Sequence, residues 1–178
     1  LHQEALKLAH LVDEVFDLVK DKATRGEVTL KLSLPELLPT LTGDTDRLHQ
    51  VLLNLVDNAV KYTPAGGNVT VSARALAANA LPSRAPSANG HSPNGDNGQM
   101  QAGPICPTWV EVAVADTGCG IPEADIPRLT QRFYRVDKAR SRALGGTGLG
   151  LAIVKHIVQA HGGFLHIEST LDQGTTMR

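Results

Sequence analysis

Residues 109–122 read "WVEVAVADTGCGIP". Val110, Val112 and Val114 alternate with other residues up to Asp116, the pattern of a strand with one buried face. The run then breaks into Asp116, Thr117, Gly118, Cys119, Gly120 and Ile121. Two glycines beside one carboxylate cost backbone entropy and add little packing, so either the chain turns sharply there or something approaches its backbone. A carboxylate at a strand end can accept a hydrogen bond from an exocyclic amine while the glycines admit a flat ring. A plain turn with Asp116 as a local cap explains the same residues, and taken alone it is the better reading of them.

Upstream, "GDTDRLHQVLLNLVDNAVKYTP" (43–64) opens on acidic residues and stops at Pro64, which predicts a helix over 45–62. Gln50, Asn54, Asn58 and Lys61 recur at three- and four-residue steps and share one stripe, with Leu48, Leu52, Leu55, Val56 and Ala59 opposite. Asn is a poor helix former, so two of them on an apolar-flanked stripe suggest a polar strip facing a pocket. Carboxamide oxygens suit Mg²⁺ shared with substrate phosphates. A half-buried polar face that merely satisfies itself fits the pattern as well.

Downstream, "LGGTGLGLA" (144–152) places Gly146, Gly148 and Gly150 where a helix begins, and exposed amides at a helix start attract anions. Neither Gly-x-Gly-x-x-Gly nor a Lys-Ser/Thr ending can be drawn there, which argues against a dinucleotide fingerprint and a P-loop. Arg135, Lys138, Arg140 and Arg142 precede it. With a net charge of −1 from 17 basic and 18 acidic side chains, the chain has no global pull toward nucleic acid or an anionic membrane. Four cations just ahead of a glycine-rich helix start therefore favour local phosphate contact.

Around these sites, "HLVDEVFDLVKDKA" (10–23) has helical spacing, and "EVTLKLSL" (27–34), "NVTVSAR" (68–74) and "FLHIES" (164–169) read as strands. A short helix is expected near 123–133. A buried helix should follow from Leu149, Ile153, Val154, Ile157 and Val158 up to a Gly-Gly stop, with "GTTMR" opening a last strand that the chain end cuts off. The expected fold is α/β, a mixed sheet with helices on one face, in one domain over 1–178. Residues 75–108, rich in Gly, Ser, Pro, Asn and Ala, read as a low-complexity, disordered insertion between adjacent strands. Cys106 and Cys119 are too few for a disulfide framework and lack metal spacing, which suits a reducing compartment. The aromatic content of 3% predicts an aliphatic core. No apolar run is long enough to span a bilayer, and the abrupt start and stop suggest a piece of a longer protein.

Taken in order, "NLVDNAVKYTP", "DTGCGIP", "RFYRVDKARS" and "GGTGLGLAIVKHIVQAHGG" resemble the N, G1, F and G2 boxes of sensor histidine kinases, within the superfamily of gyrase, Hsp90 and MutL. The likeness covers the chain outside the insertion and is strongest to the phosphate-regulon sensor type. It implies the Bergerat ATP-binding fold, with ATP and Mg²⁺ as ligands. Asn58 would hold the metal with Asn54 beside it, Lys61 would contact phosphate, and Tyr62 would lie along the nucleoside. Asp116 would accept the adenine amino hydrogen, with Gly118, Gly120 and Ile121 as the adenine wall. Phe133 and Arg135, with Lys138 or Arg140, would belong to a lid reaching the terminal phosphate. Gly146, Thr147, Gly148, Leu149 and Gly150 would hinge that lid and face the phosphates. Asn54, Lys61 and Arg135 would carry the catalytic roles.

In the superfamily's ATPases a glutamate stands where this chain has Asn54, which cannot act as a general base near neutral pH. The resemblance therefore implies ATP binding with poor hydrolysis and transfer of the γ-phosphate to a histidine. None of His2, His10, His49, His91, His156, His161 and His166 has the family's acceptor context. The acceptor would sit on a separate dimerisation domain of the same protein, and a response regulator would follow. The chain itself would be monomeric and cytoplasmic, with no contact to nucleic acid or membrane, as the soluble part of a membrane-associated sensor. An anti-sigma-factor-type serine kinase and a non-catalytic ATP-binding or docking module are the alternatives.

Overall fold

In the computed structural model, which describes residues 2–76, 109–136 and 147–178, the elements follow the apolar periodicities closely. A short strand β1 (Glu4–Leu6) precedes helix α1 (Leu8–Arg25), whose Leu11, Val12, Val15 and Val19 are buried. Strands β2 (Thr29–Ser33) and β3 (Leu41–Gly43) lead into helix α2 (Thr45–Tyr62). After β4 (Asn68–Leu76) and β5 (Trp109–Asp116) comes a 3₁₀ turn at Glu123–Arg128. Helix α3 (Gly150–Ala160), β6 (Ile167–Thr170) and β7 (Gly174–Met177) complete the described chain.

The main sheet has the order β2-β4-β5-β7-β6. Only the β2–β4 pair is parallel, and the other three are antiparallel, so the sheet is mixed. Side chains alternate across it. Val69, Val71, Val114 and Met177 point to the helix side and are buried against α1, α2 and α3. The residues buried most completely include Val12, Val15, Val56, Val69, Val71 and Val154, an aliphatic core that matches the scarcity of aromatics. The opposite face is polar. On it Arg74 Nε donates to Glu111 at 2.7 Å, and Glu168 accepts from Arg178 at 2.7 Å and pairs with His166 at 3.1 Å.

Several boundaries differ from the sequence reading, each for a physical reason. The expected helix over 123–133 is a six-residue 3₁₀ turn: it contains Pro127, buries no residue, and Phe133 sits at φ 64°, which no helix continues. The strand expected at 164 begins at Ile167: its ladder with β7 starts from the backbone bonds exchanged by His166 and Arg178, and Phe164 ahead of it packs on Trp109 with ring centroids 5.9 Å apart. Ala75 and Leu76, assigned to the insertion, are the end of β4 and pair with Val110 and Trp109. The rest of that insertion lies outside the described residues. Strands β1 and β3 form a separate antiparallel pair that three-residue runs cannot announce.

One polar link ties the helix layer together. His161, at the end of α3, accepts from the Asp44 amide at Nε2 (3.0 Å) and approaches the Ile157 carbonyl at Nδ1 (2.8 Å). That pairing requires the neutral Nδ1–H tautomer, and it joins the C-terminus of α3 to the N-cap of α2.

Candidate functional site

Helix α2 presents its two faces as its sequence dictates. Asp44 caps its start by accepting from the Arg47 amide at 3.1 Å, and Thr63 closes its end on the Ala59 carbonyl. Val51, Leu52, Leu55, Val56, Ala59 and Val60 are buried. The other face borders a cavity of about 540 Å³, lined on this side by Asn54, Asn58, Lys61 and Tyr62. Asn54 Nδ2 donates to the Gln50 carbonyl at 2.9 Å, the back-bond a short polar side chain makes within a helix. Lys61 Nζ lies 5.2 Å from the Tyr62 ring centroid. Asp57, also at the cavity edge, is paired with Lys22 of α1.

Asp116 enters from the sheet. Its Oδ1 accepts from the Gly118 amide at 2.8 Å and the Thr175 amide at 3.2 Å. Among the described residues no donor reaches its second oxygen. Burial pushes the carboxyl above its ordinary range, against the pull of the two N–H donors.

The glycines after Asp116 answer to backbone contacts as much as to ligand access. A Cβ on Gly118 would sit 2.6 Å from the Tyr62 carbonyl oxygen, and one on Gly120 (φ +64°) 2.0 Å from that of Thr170. The loop is thereby pressed between the end of α2 and the β6–β7 turn, where the Ile121 amide donates to Ser169 Oγ at 2.8 Å. Gly120 and Ile121 line the cavity; Gly118, expected in the same wall, does not, and packs instead against the Tyr62 carbonyl. Gly174 plays the matching part in β7, where a Cβ would meet the Asp116 carbonyl oxygen at 2.0 Å.

The third wall combines Tyr134 and Arg135 with Thr147, Gly148 and Gly150. A Cβ on Gly150 would lie 3.0 Å from Asn54 Oδ1, so the first turn of α3 abuts the polar stripe of α2. Among the described residues no side chain caps that turn, and the exposed amides of a helix start suit an anion. Phe133 and Leu149 do not line the cavity. Phe133 is 69% exposed, and Leu149 borders a neighbouring groove with Arg47, Gln50 and His156. Lys138, Arg140 and Gly146 lie outside the described residues.

Thr175 and Met177 also line the cavity and were not singled out from sequence. Their place follows from the sheet order and not from any local pattern: β7 pairs with β5 so that Thr175 stands opposite Asp116 and Met177 opposite Val114. Among the described residues no cluster of His, Cys, Asp or Glu could hold a metal by itself, and no helix is long and apolar enough to cross a membrane.

Comparison with known proteins agrees with this geometry. The family model described as histidine kinase-, DNA gyrase B-, and HSP90-like ATPase matches residues 43–178. The sensor histidine kinase WalK of Bacillus subtilis is 35% identical over 98% of this chain, which spans 23% of WalK. The sensor-like histidine kinase SenX3 of Mycolicibacterium smegmatis is 34% identical over 97% of this chain, which spans 37% of SenX3. Among solved structures, the mycobacterial sensor histidine kinase MprB superposes with a TM-score of 0.69 at 25% identity, covering 99% of this chain and 94% of that one. Full-length ShkA, solved in complex with AMPPNP, gives a TM-score of 0.69 at 27% identity, covering 99% of this chain and 30% of that one.

Proposed function

This chain belongs to the histidine kinase-, DNA gyrase B-, and HSP90-like ATPase family, and from that membership we propose that it is the catalytic domain of a two-component sensor kinase, binding Mg²⁺·ATP in the 540 Å³ cavity and passing the γ-phosphate to a histidine on a separate domain. The observation that carries the reading is convergence. Asn54, Asn58 and Lys61 from α2, Asp116 from β5, and Thr147, Gly148 and Gly150 at the start of α3 all border one cavity.

In this reading the free oxygen of Asp116 accepts from the adenine amine, while Gly120 and Ile121 flank the ring and Tyr62 runs along the nucleoside. Lys61 and Arg135 face the phosphates, joined by Lys138 or Arg140. The open amides at the start of α3 and the preceding glycines add fixed partial charge where the phosphates lie. Carboxamide oxygens form a donor set suited to Mg²⁺ shared with phosphate, and among the described residues no His, Cys, Asp or Glu cluster competes for it, so Asn58 with Asn54 beside it would hold the ion. The ion, when bound, neutralises phosphate charge.

Asn54 decides where the phosphate goes. Its amide nitrogen is engaged by Gln50, and a carboxamide cannot take a proton from water at neutral pH. The protein's work is then positioning and charge neutralisation, and the nucleophile arrives on its partner. His161 has both ring nitrogens engaged, Nε2 by the Asp44 amide at the start of α2 and Nδ1 by the Ile157 carbonyl of its own helix, which leaves it no part in phosphotransfer. The partners are the phosphoacceptor domain of the full-length protein and, after it, a response regulator; the whole protein is a membrane-associated sensor with this domain in the cytoplasm.

The test is an acceptor assay. The chain is incubated with γ-labelled ATP and a separately purified dimerisation hairpin from a sensor kinase. Label on the hairpin that survives alkali and is lost in acid marks phosphohistidine and supports the reading. Acid-stable phosphoserine on a protein substrate would favour a serine kinase, and no transfer with intact ATP binding a non-catalytic module.

A further inference from the structure

The segment that carries Arg135 has little apolar burial to hold it. The 3₁₀ turn at Glu123–Arg128 buries no residue, and beyond it Phe133 is 69% and Val136 42% exposed. Polar contacts hold it instead. The Tyr134 hydroxyl donates to Asp125 Oδ1. The Arg128 guanidinium stacks on the Tyr134 ring, 4.3 Å from its centroid. The Phe133 amide donates to the Gly148 carbonyl at 2.9 Å, and Lys155 of α3 reaches Thr130 Oγ1 at 3.4 Å. Gly148 has no side chain because a Cβ there would press on the Phe133 backbone at 3.0 Å.

We propose that Tyr134, Asp125 and Arg128 form a clamp that sets Arg135 at the cavity rim, so that Tyr134 is a positioning residue for phosphate recognition. The clamp works through geometry. Tyr134 and Arg135 are neighbours in the chain, so fixing the Tyr134 ring against the 3₁₀ turn fixes the direction in which the next side chain leaves the backbone. A charge-assisted bond from a phenol to a carboxylate is among the stronger side-chain hydrogen bonds, and a stacked guanidinium adds to it. Neither Asp125 nor Arg128 lines the cavity, so their influence on a ligand has to pass through Tyr134. The inference rests on the cavity's being the ATP site.

Calorimetric titration of this chain with Mg²⁺·ATP and, separately, Mg²⁺·ADP tests it. Tyr134→Phe keeps the ring and removes only the hydroxyl bonded to Asp125. Loss of one such bond predicts ATP binding weaker by about tenfold, with a smaller loss for ADP, which lacks the terminal phosphate. Asp125→Ala should behave like Tyr134→Phe, while Asp125→Asn, which keeps an acceptor oxygen, should restore most of the affinity. In an Arg135→Ala background, Tyr134→Phe should cost little more, because the group it positions is gone. Hydrogen exchange of the unliganded protein should show faster exchange at the Phe133 amide in Tyr134→Phe.

Equal losses for ATP and ADP that persist in the Arg135→Ala background would overturn the clamp and mark a general structural role. So would wild-type affinity in Tyr134→Phe. If the wild type binds neither nucleotide, the ATP site itself fails and the clamp's role in phosphate recognition falls with it.

Discussion

Replacing Gly120 with alanine should destabilise the protein well beyond the same change at Gly66, and the structure separates the reasons. Both glycines sit at positive φ, +64° and +81°, where a Cβ costs about 1–2 kcal/mol. Both substitutions also remove a similar amount of unfolded-chain entropy, which offsets part of that cost equally. They differ in what the new Cβ meets. At Gly66 nothing lies within 4 Å, whereas at Gly120 the Thr170 carbonyl oxygen is 2.0 Å away and the Leu171 Cα 2.9 Å. Those are backbone atoms, so relief requires moving the β6–β7 turn, and overpacking of that kind costs about 1–3 kcal/mol. Less about 0.4–1 kcal/mol for the unfolded-chain offset, and at about 2–4 °C per kcal/mol for a domain of this size, Gly120→Ala should lower the Tm by about 8 °C and Gly66→Ala by about 2 °C. The turn that moves leads directly into β7, whose Thr175 amide fixes Asp116, so ligand binding should weaken with it. Circular dichroism melts of both variants measure the difference. A Gly120→Ala variant no less stable than Gly66→Ala would refute the close approach and the explanation of this loop.

Three further outcomes follow from the site and the core. Burial raises the Asp116 carboxyl, so ATP affinity should fall on acidification before an ordinary carboxylate titrates. For unliganded stability the sign is opposite: the folded form takes up the proton first, so as pH falls through the folded pKa the wild type should gain stability relative to Asp116→Asn, and melts of the two across that range check it. Wild-type protein should release phosphate from ATP slowly, and Asn54→Glu should raise release by about 100-fold in a phosphate-release assay, because it supplies the missing general base. His161→Leu strands the half-buried Asp44 amide, while the Ile157 carbonyl keeps the His161 backbone amide as a donor; at about 1 kcal/mol, the low end for an unsatisfied group, a denaturant melt should show a loss of that order with no change in nucleotide affinity.

The elements were legible where periodicity was long. Helix α2 over 45–62 and strand β5 over 109–116 stand where the alternation of apolar residues placed them. Failures came where tertiary contacts override local pattern. A proline and a residue at positive φ cut the helix expected after Pro122, and the start of β6 is set by its register with β7. Pairs as short as β1 and β3 carry no periodic signal. The stripe Asn54, Asn58 and Lys61 and the carboxylate of Asp116 could be picked out because their residue types are unusual for those positions. Thr175 and Met177 could not, since a threonine and a methionine in a strand look ordinary until the sheet order brings β7 beside β5. The glycines were noticed for the right reason, close approach, but what approaches Gly118 and Gly120 includes this chain's own backbone.

The most direct test is calorimetric titration of Mg²⁺·ATP into the wild type and Asp116→Asn side by side. The asparagine keeps an oxygen for the Gly118 and Thr175 amides, but turns an N–H₂ toward the adenine amine in place of the free oxygen. Loss of one charge-assisted bond and the stranding of a donor predict a saturable single site in the wild type and binding weaker by about 100-fold or more in the variant. Tight binding that the substitution leaves unchanged would contradict the placement of the adenine, and with it the nucleotide site proposed for this cavity.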